Sequence, residues 1–119
     1  MAKVGHFVTD PRAGAYCQVT LDTGQKVIVS HDKGGFEGAL LTIEVSKFMG
    51  FSSDRIFACN LDSLQGQALL AWLTRGAVAG SVAATVGAAV EFVRQSESLA
   101  ELKERCATLM SAGQSAAQT

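Results

Sequence analysis

The sequence has one proline, one tryptophan, one tyrosine, two histidines and three cysteines in 119 residues. Each scarcity excludes something. A secreted scaffold held by disulfides needs an even, closely spaced set of cysteines. Cys17, Cys59 and Cys106 are odd in number, far apart, and form no C-x-x-C pair that would read as a zinc ribbon or redox motif. They are expected to pack as three small buried hydrophobes in a reducing, cytoplasmic setting. Two histidines are too few for a histidine-rich metal hydrolase. His31-Asp32 has the look of the metal-binding pair of HD-type phosphohydrolases, but that chemistry needs further histidines on helices, and only His6 remains. No metal or cofactor is expected.

Charge is also sparse. Charged residues are 18% of the chain and the net charge is −1. That supplies no bulk field for nucleic acid or an anionic membrane. The first residues, Met1 to His6, have no apolar run with a small-residue cleavage site behind it, so no secretory leader is expected. From Leu64 to Val93 the only charges are Arg75 and Glu91, but the longest uncharged piece, Gly76 to Val90, is rich in alanine and glycine. A spanning helix needs about 20 strongly apolar residues, so no membrane span is expected.

What is present is apolar content, 48% of the chain. Surface scaling gives about 6,100 Å² exposed when folded against about 18,000 Å² for the open chain. That is enough burial for one core without metal or disulfide. A single domain over 1–110 is expected, with strand-rich 1–62, helical 63–110 and a small, polar, flexible tail over 111–119.

Val4 to Val8 reads as a strand, followed by a turn at Asp10-Pro11-Arg12-Ala13-Gly14. Ala15 to Leu21 and Gln25 to His31 both alternate, with Cys17, Val19 and Leu21 on one side of the first and Val27 and Val29 on one side of the second. Asp22-Thr23-Gly24 between them fits a hairpin loop with glycine at positive φ. That register sets Cys17 near Val29 and His31 near Ala15. Leu40 to Met49 fits both periods, and its β-branched Thr42, Ile43 and Val45 favour a strand. Arg55 to Cys59 is a further strand.

Asp62 or Ser63 is placed to cap a helix to about Thr74, with Leu64, Ala68, Ala71 and Trp72 on one side and Trp72 as its anchor on the sheet. A second helix is predicted over 81–94, with Val82, Val86, Val90 and Val93 as one stripe and Gly80, Ala83, Ala84 and Gly87 opposite. Ser98 with Glu101 forms a capping box. It opens a third helix with Leu99, Leu102, Cys106 and Leu109 inward and a Glu101–Arg105 pair outside. The expected class is α+β: a small antiparallel β-barrel or curled sheet of about five short strands, SH3-like or OB-like in size, followed by two or three helices.

Three sites follow from these patterns. Lys33, Gly34, Gly35, Phe36 and Gly38 form a glycine-rich loop whose N–H groups suit an anion and whose phenyl ring suits a partner. Gly76, Gly80, Val82, Ala83, Val86, Gly87 and Val90 mark a helix apolar on one side and small on the other. Such a helix needs cover on both sides, which predicts a homo-oligomer, most simply a dimer. Cys17 and His31, with Asp32 orienting the imidazole, make a thiol–imidazole pair on one hairpin.

The leading functional expectation is a non-catalytic, oligomerising interaction or ligand-binding module. Its partners would be a second copy, another protein or a small ligand. One alternative is a single-stranded nucleic-acid-binding barrel using Phe7, Tyr16, Phe36, Phe48, Phe51 and Phe57 with Lys26, Lys33, Lys47 and Arg55, although acids interleave with those bases. The other is a thiol-dependent enzyme.

Overall fold

A computed structural model describes residues 3–10, 14–35, 38–47, 52–61, 63, 66–68, 71 and 82–118. Five strands, β1 (Lys3–Asp10), β2 (Gly14–Thr20), β3 (Lys26–Gly35), β4 (Gly38–Lys47) and β5 (Ser52–Asn60), pair in chain order as one antiparallel sheet. Two helices follow, α1 (Val82–Arg94) and α2 (Leu99–Gln118). The class is α+β, as the composition shift predicts.

The sheet does not close. β1 and β5 are its two edges and do not pair with each other among the described residues. The apolar face is covered by helices rather than by the sheet's own far side, so the barrel alternative is corrected to an open meander. α1 lies over β2 and β3, and α2 lies against β5.

The β2–β3 hairpin has the predicted register, with Cys17 opposite Val29 and Ala15 opposite His31. Gly24 holds the loop at φ +88°, and its N–H donates to the Leu21 carbonyl at 2.8 Å. Leu40 to Lys47 is strand, because Leu41, Ile43 and Val45 all enter the core while Glu44 and Ser46 do not. A helix there would have split those residues between core and solvent. The turn at residues 11–13, and 48–50 at the end of β4, lie outside the described residues.

Rows of side chains cross the buried face of the sheet: Ala15, His31, Leu41 and Cys59 in one, Cys17, Val29, Ile43 and Phe57 in the next. Val86, Ala89 and Val93 of α1 and Leu102 and Cys106 of α2 are fully buried against this face. Each larger aliphatic among them stabilises the fold by about 1.5–3 kcal/mol. Valine is a mediocre helix former, so α1 owes its place to this packing more than to propensity.

The helix ends are built locally. Ser63 Oγ accepts the Gly66 N–H at 2.9 Å, the expected cap. Residues 66–68 and 71 are helical; Trp72 and the rest of that prediction lie outside the described residues. At α2, Glu101 N–H donates to Ser98 Oγ at 3.2 Å, while the Glu101 carboxylate accepts from the Glu97 N–H rather than that of Ser98.

Arg105 departs from the expected pair with Glu101. It turns toward α1 and donates to the Phe92 carbonyl at 2.8 Å and to Ser96 Oγ at 2.6 Å. Its guanidinium also sits 4.3 Å from the Phe92 ring centroid. A cation at the carbonyl end of a helix is favourable, and here it ties α1 to α2. The tail composition predicts fraying from residue 111, yet α2 continues to Gln118. Its Ala, Ser and Gln include no proline to stop it.

Candidate functional site

The glycine-rich segment is mostly strand. β3 runs to Gly35 and β4 starts at Gly38, with Gly35 opposite Gly38. Lys33, Gly34, Gly35 and Gly38 thus lie within strands, with Gly35 and Gly38 paired and Lys33 and Gly34 in the register shift. Phe36 lies outside the described residues. The expected loop is corrected to the irregular end of a hairpin, with a register shift between Asp32 and Gly35. The glycines read as loop because they lack the side chains that mark a strand.

Cys17 and His31 do sit diagonally on neighbouring strands, on the same buried face. The environment opposes thiolate chemistry. Burial raises the Cys17 pKa above its ordinary value, and the thiol donates to the Gly5 carbonyl of β1 at 3.5 Å. That contact draws Sγ toward β1, whereas His31 lies on the other neighbour, β3. A nucleophilic cysteine needs the opposite shift. Asp32 follows on the strand and is exposed.

His31 is 9% exposed and its Nδ1 is buried without a hydrogen-bond partner. Around it the register places Ala15, Cys17 and Leu41. An unsatisfied buried nitrogen costs about 1–3 kcal/mol. We therefore predict that His31→Leu, close in volume and wholly apolar, raises the urea midpoint by the equivalent of about 1 kcal/mol. An equal or lower midpoint would show that the imidazole makes a contact worth more than its desolvation.

Two of the four candidate basic residues are locally neutralised. Lys47 pairs with Asp54, and Arg55 lies 3.7 Å from Glu44. Phe57 is core, while Phe7 and Tyr16 are exposed on opposite faces of the sheet; Phe36, Phe48 and Phe51 lie outside the described residues. Stacking several bases needs aromatics on one face beside free cations. Among the described residues no group of three or more His, Cys, Asp or Glu is placed to hold a metal. No described helix is long and apolar enough to cross a membrane.

The helix expected to mediate self-association is α1. Val86 and Val90 are buried on the chain's own sheet, so they are core rather than interface. Gly87 faces outward, with nothing within 4 Å of where a Cβ would stand. Gly76 and Gly80 lie outside the described residues, as do the side chains of Val82 and Ala83.

The exposed large apolar residues were not anticipated. Val4 (48%), Phe7 (41%), Val8 (37%) and Tyr16 (44%) all lie on β1 and its neighbour β2. Val4 and Phe7 register with Val19 and Cys17 on the helix-covered face, and Val8 with Tyr16 on the opposite one. Apolar surface therefore wraps one edge of the sheet. The sequence holds one sign of it: the alternation of residues 3–10 breaks at Gly5-His6. Compared with known protein families, with curated proteins and with solved structures, the chain finds no match.

Proposed function

We propose that this protein is a non-catalytic interaction module that self-associates. The observation that carries the reading is the cluster of four half-exposed apolar side chains on a single sheet edge. Apolar patches of this kind on a small protein mark contact surfaces. The exposed position of Gly87 on α1, with open space where a Cβ would stand, is a second place a neighbour can approach closely. Thiol-dependent catalysis is disfavoured by the raised Cys17 pKa, and single-stranded nucleic-acid binding by the acid-paired Lys47 and Arg55.

Sedimentation velocity from about 1 to 100 µM tests the reading, in a range where weak homodimers assemble. A species of twice the chain mass, growing with concentration, is expected. A single species of chain mass over the whole range would remove it.

A further inference from the structure

The two sheet edges differ. β5 has exposed Asp54 and Arg55 at its start and a register shift at its middle. Charges and irregularity of this sort guard an edge against pairing. β1 also carries an irregularity, but beside Lys3 and His6 it exposes three large apolar side chains, Val4, Phe7 and Val8.

The β1 irregularity has a specific consequence. Val4 pairs with Val19 and Phe7 with Cys17, so Gly5 and His6 together face Gln18. A Cβ on Gly5 would stand 3.0 Å from the Gln18 carbonyl oxygen, which is why glycine occupies this bulge. The eight residues of β1 thereby span the seven of β2, from Lys3 opposite Thr20 to Asp10 opposite Gly14. The middle position of seven is Phe7, opposite Cys17.

Which hydrogen-bonding groups of β1 face away from β2 follows from alternation. The Leu21 N–H donates to the Gln25 carbonyl, which fixes the phase of the hairpin. Val19 and Cys17 then bond to β3, while Thr20, Tyr16 and Gly14 bond to β1. Lys3, Val8 and Asp10 are their partners. The N–H and C=O groups of Val4, Phe7 and Thr9 point away from the sheet.

A two-fold axis perpendicular to a sheet must pass through a pair of equivalent residues. A regular eight-residue strand has its centre between two residues on opposite faces, and offers no such pair there. The bulge changes this, moving the centre onto Phe7, whose bonding groups face outward. Resting on the self-association reading, we propose that β1 pairs antiparallel with β1 of a second copy of this chain, about a two-fold axis at Phe7.

This register sets Phe7 beside its equivalent, Val4 opposite Thr9, and Lys3 opposite Asp10 at both ends. The three bonded pairs supply about six backbone hydrogen bonds. Paired aromatics and opposite charges across strands are both favourable. A parallel arrangement would instead place lysine beside lysine and aspartate beside aspartate, so the end charges select the antiparallel one.

The test uses the whole chain and reads the dimer dissociation constant by sedimentation. Lys3→Glu and Asp10→Lys are each expected to raise it at least tenfold, and the two together to bring it back within about threefold. Phe7→Cys is expected to give a covalent dimer on mild oxidation, since the native thiols are buried and a bonded pair lies about 5.5 Å apart at Cα. Gly87→Arg is expected to leave the dimer unchanged. A dimer insensitive to the charge variants and uncoupled at Phe7→Cys would overturn the pairing while keeping self-association. A dimer lost on Gly87→Arg would move the interface to α1. A wild-type chain monomeric throughout would overturn both readings and leave this edge to a strand of another protein.

Discussion

Gly66→Ala is expected to destabilise the protein by about 3 kcal/mol or more, against the sign that helix propensity gives. Alanine is favoured over glycine inside a helix by about 1 kcal/mol. Here a Cβ would run into the backbone carbonyl of Asn60, far inside contact distance. Neither side can yield cheaply. The Asn60 oxygen already accepts the Ser63 N–H at 3.2 Å and the Ser63 hydroxyl at 2.8 Å. Gly66 is held by its own N–H on Ser63 Oγ, and its carbonyl accepts the Cys59 thiol at 3.4 Å. Relief requires pulling the helical turn off the end of β5, which breaks the cap and opens the row ending at Cys59. Overpacking of backbone on backbone exceeds the usual 1–3 kcal/mol of a crowded side chain. Urea denaturation decides it, with Gly24→Ala as the comparison. Gly24 has positive φ but open space around it, so only about 1 kcal/mol of strain is expected there. A Gly66→Ala variant as stable as the wild type would mean that β5 and the turn separate readily.

The strands were readable because two-residue alternation survives wherever one face is buried. Leu41, Ile43 and Val45 entered the core as their spacing requires, and Gly24 fixed the hairpin register to the residue. Sheet closure was not readable, because alternation says which face is buried and not what covers it. The segment from Asp32 to Gly38 misled for a local reason: three of its seven residues are glycine, so the ladder continues where no side chain reports it. Arg105 was assigned to Glu101 by helical spacing, but the open carbonyls at the end of α1 offered it more partners. At the candidate site, the Cys17–His31 proximity was legible from register, whereas the thiol's engagement with Gly5 depends on the β1 bulge. The bulge shows in sequence only as a break in alternation, and the exposure of Val4 and Phe7 depends on where α1 stops covering the sheet. That boundary is a property of packing between elements distant in the chain.

Stability is expected to fall steeply on the alkaline side, and two thiols set much of the slope. Cys59 and Cys106 are 3% and 0% exposed, and burial pushes each pKa from 9.0 to about 11. At Cys106 the Arg105 cation pulls the other way and is outweighed. A folded pKa above the unfolded one means that the unfolded chain releases its proton first as pH rises. The contribution is therefore intact below about pH 8.5 and is lost as pH climbs toward 11. At pH 10.5 the loss is about 2 kcal/mol for each thiol, a large share of the 5–15 kcal/mol that domains possess. The wild-type curve alone does not assign the effect to these two thiols. Urea midpoints at pH 8 and pH 10.5 for the wild type, Cys59→Ala and Cys106→Ala do, because the other groups are common to all three. Each alanine variant starts lower, having lost a packed sulfur, but should fall less between the two pH values by about 2 kcal/mol. Parallel losses in all three would place the alkaline sensitivity elsewhere. The same burial makes a second reading available on one sample: a thiol reagent should modify the native protein slowly, and all three cysteines together once urea crosses the midpoint, because the row from Ala15 to Cys59 and the α2 stripe at Cys106 belong to one core.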